Sequence, residues 1–179
     1  NVLNALGAIA ITHSLGIEME HIISAIGKFV GVGRRFQILY KQKDLEIVDD
    51  YGHHPTEVAT TIAAAVQTRK DSQIVVIFQP HRYSRTRDCW DQFLHCFNEA
   101  NKVYVLPIYA ASEVELPGIS AKRLATDINH LHPNLIESIE KDQMAEIIKS
   151  YRGKKTTIIT MGAGSIGKDI REIISNEFK

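Results

Sequence analysis

The sequence predicts an α/β protein with a Rossmann-like, doubly wound, mostly parallel sheet, preceded by a short helical segment. Three observations predict this class. After residue 34, apolar runs of strand length alternate with helical patterns. One run, "IVVIFQ" at 74–79, is apolar throughout, as expected of a strand buried on both faces. Before residue 34, apolar side chains recur only at helical spacing, so helices come first and the sheet follows.

The first part of the chain carries two helical patterns. They predict a helix over 2–15 that ends at Gly16 and a second helix over about 18–29. "GVGRRF" at 31–36 has two glycines in three residues and indicates a linker. We therefore predict two domain portions, 1–33 and 34–179. An Ala-rich helix is already under way at Asn1 without a cap, which predicts that the chain is the C-terminal part of a longer protein.

The second part alternates strands and helices. "FQILY" and "LEIVD" predict two strands around the turn "KQKD". A helix is expected to begin at Pro55, because proline is favoured at the first helical position and Glu57 suits the first turn. Ser120 is a predicted N-cap. The predicted elements from there are a helix over 55–69, a strand over 74–79, a helix over 87–100, a strand over 102–108, a helix over 120–128, a short strand over 134–139, a helix over 141–152, a strand over 155–161 and a last helix over 167–178.

Composition excludes several classes of protein. The 179 residues include 21 basic and 21 acidic ones, and this balance predicts no nucleic-acid partner and no membrane-surface partner. No apolar stretch approaches the roughly 20 residues that a membrane span needs, and we find no signal peptide. The two cysteines, Cys89 and Cys96, lie on one predicted helix, too far apart along its axis to pair. This pattern favours a reducing, cytoplasmic setting.

Polar residues gather where the predicted strands end. In open α/β sheets, ligands bind beyond the carboxyl ends of the strands. These ends are Asp49-Asp50-Tyr51, Gln79-Pro80-His81, Pro107-Ile108-Tyr109 and Met161-Gly162. Two segments there, "VDDYGHHPTEV" (48–58) and "QPHRYSRTR" (79–87), therefore form the predicted site.

The acids and histidines of 48–58 allow more than one interpretation. Adjacent histidines diverge, and neither H-x-x-x-H nor C-x-x-C spacing supports them, so we predict no metal site. His54, or alternatively Asp50, is expected to cap the helix that begins at Pro55. Asp50 and His53 precede the cap and are the stronger functional candidates. A carboxylate at a strand end suits a ribose diol.

Crowded arginines mark the second segment. Arg82, Arg85 and Arg87 repel one another, and an anionic ligand or protein acids must offset this repulsion. We expect Arg87 to pair with Asp88 or Asp91. The same pairing stays open for Arg85, whereas His81 and Arg82 lie at the strand end and favour a ligand.

The segment "GAGSIG" (162–167) matches the dinucleotide pattern G-x-G-x-x-G. However, it closes the domain instead of opening it, and twelve residues follow Gly167 where the pattern needs an acid about 20 positions later. We interpret it as a tight strand-to-helix turn and not as an NAD or FAD site.

Six segments together carry a resemblance. With "NVLNALGAIAI", "GVGRRFQ", "VDDYGHHPTEV", "FQPHRYSRTRD", "YAASEVELPGIS" and "MGAGSIG" in this order, the chain resembles the muramyl ligases over nearly its whole length. The resemblance implies a cytoplasmic enzyme with three domains: one for the UDP-sugar, a central ATPase, and a Rossmann-like C-terminal domain. This chain would be the end of the central domain and the whole C-terminal domain, and would be inactive alone.

The resemblance also implies a reaction. ATP and Mg²⁺ would serve to join L-alanine to the carboxylate of UDP-N-acetylmuramate through an acyl phosphate, with the metal ligands mainly in the missing central domain. The alternatives are a sister ligase that adds a murein peptide to the same UDP-sugar, a binding module without catalysis, and an NAD-dependent oxidoreductase.

Site residues carry over from the resemblance by position. Asn4 would approach adenine, Arg35 would reach the ATP phosphates when the domains close about the linker, and Asp50 would contact the nucleotide. The residues expected on the amino-acid side are Tyr51, His53, His81, Arg82 and Arg85. From the residues themselves, Arg82 or Arg85 suits a carboxylate. Either His53 or His81 suits the amine, which must lose a proton.

Overall fold

The computed structural model describes residues 2–29 and 31–178, which form two compact units divided between Val32 and Gly33. The first unit consists of α1 (Val2–Ser14) and α2 (Met19–Lys28). Gly16 has a φ of 81°, and the N–H of Ile17 bonds back to the carbonyl of Thr12. This glycine therefore ends α1, as its position in the sequence predicts.

The second unit contains the sheet and the remaining helices. Its strands are β1 (Gln37–Gln42), β2 (Leu45–Asp50), β3 (Gln73–Phe78), β4 (Lys102–Val105), β5 (Ile136–Ser138) and β6 (Thr156–Met161). Its helices are α3 (Pro55–Thr68), α4 (Tyr83–Asp88), α5 (Trp90–Phe93), α6 (Ala121–Leu131), α7 (Met144–Ser150) and α8 (Ile166–Glu177), with a 3-10 turn at Lys141–Gln143.

The sheet confirms the predicted fold class. Its strand order is β1-β2-β6-β3-β4-β5, in which β1 is antiparallel to β2 and every other neighbouring pair is parallel. Asp50 and Phe78 both pair with Met161, and Phe78 pairs with Val105. The carboxyl ends of the four middle strands therefore lie at one edge of the sheet.

Helices cover both faces of the sheet, and each face has its own core. One core packs Val48 and Phe78 against α3 and α6, and the other packs Ile47 and Ile77 against α7 and α8. Successive strand residues point to opposite faces, which accounts for strands that are apolar at every position. None of the helices among residues 2–29 and 31–178 is long and apolar enough to span a bilayer.

The predicted helix over 87–100 is wrong in its bounds. Helical structure begins earlier, at Tyr83, and is interrupted at Cys89, after which α5 lasts only four residues. Phe93 and Phe97 are both buried, so turns as well as a helix satisfy the apolar spacing that suggested one long element. The predicted strand over 102–108 stops at Val105, because Pro107 lacks the N–H that would continue the ladder.

Candidate functional site

The loop after β2 is organised around the first turn of α3. His54 is its N-cap: the backbone N–H of Thr56 donates to His54 Nδ1 at 3.4 Å. Glu57 completes a capping box, because its Oε2 accepts from the N–H groups of His53 and His54 at 3.0 and 3.1 Å. Burial acts to raise the pKa of Glu57, but these two N–H groups, together with the charges of His53 and Arg35, hold that pKa below its ordinary 4.5.

Replacing His54 by alanine is expected to lower the free energy of unfolding of the chain by about 1 kcal/mol, because one N-terminal donor of α3 loses its acceptor. His54→Asn is the matched control, since asparagine caps helices well and should retain most of the stability. Urea unfolding followed by the fluorescence of the single tryptophan measures both variants. Equal losses in the two variants would contradict a capping role.

Asp50 joins the linker to this loop. Its side chain is buried, with Oδ2 accepting from the N–H of Phe36 at 2.8 Å and Oδ1 accepting from that of Gly52 at 2.7 Å. A Cβ on Gly52 would lie 2.8 Å from this Oδ1 and 3.0 Å from Met161 Cε, so the site needs glycine there. The nucleotide contact predicted for Asp50 stays a prediction, and it would use carboxylate lone pairs beyond the two already engaged.

Asp49 points to the other face of the sheet and binds two arginines. Its carboxylate is fully buried and accepts from Arg34 Nε at 3.1 Å and from Arg171 Nη1 at 2.7 Å. Arg34 also donates to the carbonyl of Gly162 and lies over the Tyr51 ring, 5.0 Å from its centroid. We name Arg34, Asp49 and Arg171 the Asp49 cluster. Sequence reasoning missed both arginines.

The other two residues that the sequence predicts to contact the nucleotide, Arg35 and Asn4, are exposed. Arg35 lies between Arg34 and Phe36, whose φ values of 58° and 49° are unusual for side-chain-bearing residues. Burial has the largest influence on the pKa of Glu57 and raises it, whereas the N–H groups of His53 and His54 and the charges of His53 and Arg35 lower it. Asn4 is exposed on α1. The contacts predicted for Arg35 and Asn4 with ATP stay predictions.

Four rings from three loops meet at the carboxyl edge. Tyr51 and His53 follow β2, His81 follows β3 and Tyr109 follows β4. The ring centroids of neighbours lie 5.5 Å apart for Tyr51 and His53, 5.6 Å for His53 and His81, and 5.6 Å for His81 and Tyr109. Loops that are remote in sequence therefore build one surface, which we name the ring row.

The arginines of 82–87 have separate partners. Arg85 Nη1 contacts His81 twice, Nδ1 at 3.1 Å and the carbonyl at 3.2 Å, and does not pair with Asp88 or Asp91. Arg87 is exposed and bonds Asp88 at 2.7 Å, as predicted. Arg82, with a φ of 73°, is exposed, and its backbone N–H donates at 2.8 Å to the carbonyl of Tyr109, which lies at one end of the ring row. Arg82 and Arg85 thus lie beside the ring row, whereas Arg87 pairs with Asp88 on the surface.

Glu113 is a site residue that sequence reasoning missed. It accepts from the backbone N–H of Ser84 at 2.9 Å and from its hydroxyl at 2.5 Å, and lies 3.8 Å from Arg82 Nη1. The bonds from Ser84 lower the pKa of Glu113, which therefore stays ionised beside Arg82. Its loop turns through Ala111 and Ser112, both with positive φ. This acid partly offsets the crowded arginines.

His81 is electrostatically biased toward its neutral form. Burial lowers its pKa from the ordinary 6.5, and the charges of Arg85, His53 and Arg82 lower it further, whereas Glu113 acts in the opposite direction. The imidazole is therefore uncharged at neutral pH. It offers one proton and one lone pair, and Arg85 already occupies one ring nitrogen.

The glycines of 162–167 are needed for packing. A Cβ on Gly164 would lie 2.5 Å from Gln79 Oε1 and 2.6 Å from the Tyr109 ring, and a Cβ on Gly167 would lie 2.5 Å from Arg34 Nε. Gln79 Oε1 also accepts from the N–H of Ile166 at 3.1 Å, where a phosphate would bind in a dinucleotide fold. Protein groups thus fill the space around this turn, as its interpretation as a close-packed turn predicts.

No group of three or more histidine, cysteine or acidic residues among 2–29 and 31–178 is arranged to hold a metal ion.

Comparison with known proteins identifies the family of this chain. The sequence profile of the Mur ligase, glutamate ligase domain matches residues 34–164. The chain belongs to the Mur ligase family. Two relatives are named UDP-N-acetylmuramate–L-alanine ligase: one from Psychrobacter sp. (strain PRwf-1), 38% identical over 98% of this chain, and one from Desulforapulum autotrophicum, 39% identical over 98%.

Solved structures support the same Mur ligase fold. The UDP-N-acetylmuramate–alanine ligase of Thermotoga maritima superposes with a TM-score of 0.79 at 28% identity, covering 98% of this chain and 37% of that one. A murein peptide ligase from Psychrobacter arcticus shares the fold, with a TM-score of 0.70 at 20% identity over 97% of this chain and 36% of that one. The chain spans 38% and 39% of the lengths of the two curated relatives, so it corresponds to a part of a Mur ligase.

Proposed function

We propose that this chain is the C-terminal part of a cytoplasmic, ATP-dependent ligase that joins L-alanine to UDP-N-acetylmuramate in peptidoglycan synthesis. The observation that carries the proposal is the ring row with its two arginines, built by the loops after β2, β3 and β4. The relatives named as alanine ligases support the substrate, and the family supports the use of ATP. The UDP-sugar and the ATP-binding loop would belong to domains outside this chain.

The ring row offers what a small amino acid requires. L-Alanine brings one carboxylate and one amine on a short carbon frame. Arg82, half exposed at the end of the row, is available to bind the carboxylate in the planar, two-point manner of a guanidinium. His53 and His81 then lie beside the amine, with their ring centroids 5.6 Å apart.

The proposed reaction has two steps. A carboxylate oxygen of UDP-N-acetylmuramate attacks the γ-phosphorus of ATP, giving an acyl phosphate and ADP. The neutral amine of alanine attacks the acyl carbon, the C–N bond forms, and inorganic phosphate leaves. One proton must leave the ammonium before attack and a second leaves the nitrogen afterwards. The contribution of this chain is to hold the amine against the acyl carbon and to accept a proton, and positioning of this kind supplies much of the rate enhancement in bimolecular steps.

The test is a ligation assay on a full-length ligase that carries this chain as its C-terminal part. Phosphate release is measured with UDP-N-acetylmuramate, ATP and either alanine, glycine, serine or a murein tripeptide. We expect alanine to have the highest kcat/KM. Arg82→Met should raise the KM for alanine about tenfold to a hundredfold, the range for losing a bond between charged groups. Arg87→Met, in the same segment but paired with Asp88, is the matched control and should have little effect.

Two outcomes would contradict the proposed activity, and a third would contradict the role of Arg82. Use of the tripeptide in preference to alanine would favour the sister ligase. Absence of phosphate release with every acceptor, in a full-length protein that binds ATP, would favour a binding module. Equal effects of the two arginine substitutions would remove Arg82 from the amino-acid site.

A further inference from the structure

The three histidines of the site have hydrogen-bond partners that fix where their protons lie. A neutral imidazole carries its proton on either Nδ1 or Nε2, and the partner of one nitrogen decides the state of the other. We infer that His81 is held with its proton on Nε2 and enters the site as a donor, whereas His53 is held with its proton on Nδ1 and enters as an acceptor. The consequence for catalysis rests on the proposed function.

For His81, the deciding partner is Arg85. A guanidinium has donors only, so the contact of Arg85 Nη1 with His81 Nδ1 at 3.1 Å requires a lone pair on Nδ1. The same nitrogen of Arg85 lies 3.2 Å from the carbonyl of His81, which fixes the guanidinium in place. The single proton of the neutral ring is then on Nε2, which makes this atom a donor without a free lone pair.

His53 has the opposite arrangement. Its Nδ1 lies 3.0 Å from the carbonyl of Tyr51 and 3.7 Å from Glu57 Oε2, and both of these atoms are acceptors. Nδ1 must therefore carry a proton whether the ring is neutral or charged. In the neutral ring, Nε2 of His53 holds the lone pair. This is the less common form of a free histidine, so its presence would require the local partners.

The two rings therefore have different roles, and the choice of proton acceptor between His53 and His81, which the sequence leaves open, can be made. His81 can donate to an oxygen of the amino-acid carboxylate or of the acyl phosphate, and it cannot remove a proton while Arg85 holds Nδ1. His53 can take a proton from the amine at Nε2. The imidazolium that forms would be stabilised by the Tyr51 carbonyl and the Glu57 carboxylate at Nδ1. His53 is thus the proposed catalytic base, and Arg85 is a positioning residue that acts through His81.

Long-range ¹H–¹⁵N correlation spectra of the histidine-labelled 179-residue chain test the proton positions directly. At about pH 8, where an ordinary histidine is neutral, we expect Nε2–H for His81 and Nδ1–H for His53. Single substitutions His53→Gln and His81→Gln assign the signals. His54 is an internal reference: its Nδ1 accepts from Thr56, so it should also be Nε2–H. An Nδ1–H form of His81, or an Nε2–H form of neutral His53, would overturn the inference.

A titration tests the role of Arg85. The charged groups facing His81 are Arg85, Arg82, His53 and Glu113, and Tyr109 stacks on its ring. Arg85→Met removes a nearby cation and a donor, so the pKa of His81 should rise toward its ordinary 6.5. Arg87→Met is the control and should leave it unchanged. A His81 titration that is the same in Arg85→Met and in the parent chain would contradict the contact.

Kinetics of the full-length ligase test the division of roles. His53→Gln should lower kcat about a hundredfold or more, the usual contribution of a general base. It should also abolish the acidic limb of the pH profile of kcat, which is the fall in kcat toward low pH. His81→Gln places an amide N–H near the position of Nε2 and should remain within about tenfold of the parent with the limb intact, whereas the shorter His81→Asn should lose more. Loss of the acidic limb in His81→Gln but not in His53→Gln would overturn the inference. A full-length protein without ligation would refute the proposed function, and the spectra would still decide the proton positions.

Discussion

Replacing Gly162 by alanine is expected to lower the free energy of unfolding of the chain by about 3–5 kcal/mol, from a strained backbone and an overpacked contact together. Gly162 has a φ of 148°, which L side chains rarely adopt. Its Cβ would lie 2.7 Å from the backbone carbonyl oxygen of Gln79 and 3.1 Å from Gln79 Cβ. Both atoms belong to Gln79, the residue after β3, whereas Gly162 is the residue after β6. Because β3 and β6 are paired up to their ends, Gln79 and Gly162 cannot move apart without separating these central strands.

A variant of a second glycine separates the contribution of backbone strain from that of overpacking. Gly153 also has a positive φ, 73°, but nothing lies within 4 Å of the position of its Cβ. Gly153→Ala should therefore cost only about 1–2 kcal/mol, the conformational part alone. Chemical denaturation of the two variants gives the comparison. Similar losses would mean that the close approach of the strand ends at Gln79 contributes little.

Much of this fold follows from local patterns in the sequence. The alternation of apolar runs with helical spacing predicts a parallel sheet covered on both faces, and in such a sheet the strand ends meet at one edge. That rule brings His53 beside His81 without any knowledge of their contacts. The His54 cap is predictable for the same reason, because capping depends on residues next to each other in the chain.

The missed features depend on partners that are remote in sequence. Arg171 and Asp49 are 122 positions apart, and Glu113 and Ser84 are 29 apart. No periodicity connects such residues. Strand alternation does imply that Asp49 and Asp50 face opposite sides of the sheet, which already indicates two different environments. The choice of partner then depends on which long side chains of α8 and of the linker reach the strand end.

The break at Cys89 has a similar origin. Trp90, Phe93 and Phe97 have helical spacing, and local pattern alone favours one helix through them. In the folded chain, the Thr86 hydroxyl donates at 2.8 Å to the carbonyl of Arg82, the residue before α4, and the helix ends at Cys89. Burying the large rings between the sheet and α6 decides the path here, so tertiary packing overrides the local preference.

Removal of the Asp49 carboxylate is expected to have the other large effect. Asp49→Ala should lower the free energy of unfolding by about 2–4 kcal/mol, because two guanidiniums would remain close together without the buried acid between them. The side chains of Arg34 and Arg171 are 23% and 41% exposed, so water compensates part of the loss and the effect falls below that of a fully buried pair. Urea unfolding of the chain measures it.

Arg171→Met is the matched control for this prediction. It removes one of the two arginines, together with its bonds to the Gly167 carbonyl and to Gln37 Oε1, and leaves Arg34 bound to Asp49. The loss should be about 1–2 kcal/mol, mainly that of the charge-assisted hydrogen bond to Asp49. The double variant should be less destabilised than the sum of the single ones, because the repulsion between the arginines disappears. Additive losses would show that Asp49 does not join the two arginines energetically.

The Asp49 cluster also links stability to the site. The carbonyl of Arg34 accepts from the N–H of Tyr51 at 2.7 Å, and its guanidinium lies over the ring at 5.0 Å. Tyr51 is the first member of the ring row, and its own carbonyl is the acceptor for His53 Nδ1. Asp49→Ala should therefore loosen Tyr51 and weaken the Nδ1–H preference of His53. The same spectra that locate the histidine protons would detect this change, and an unchanged His53 signal would separate the cluster from the site.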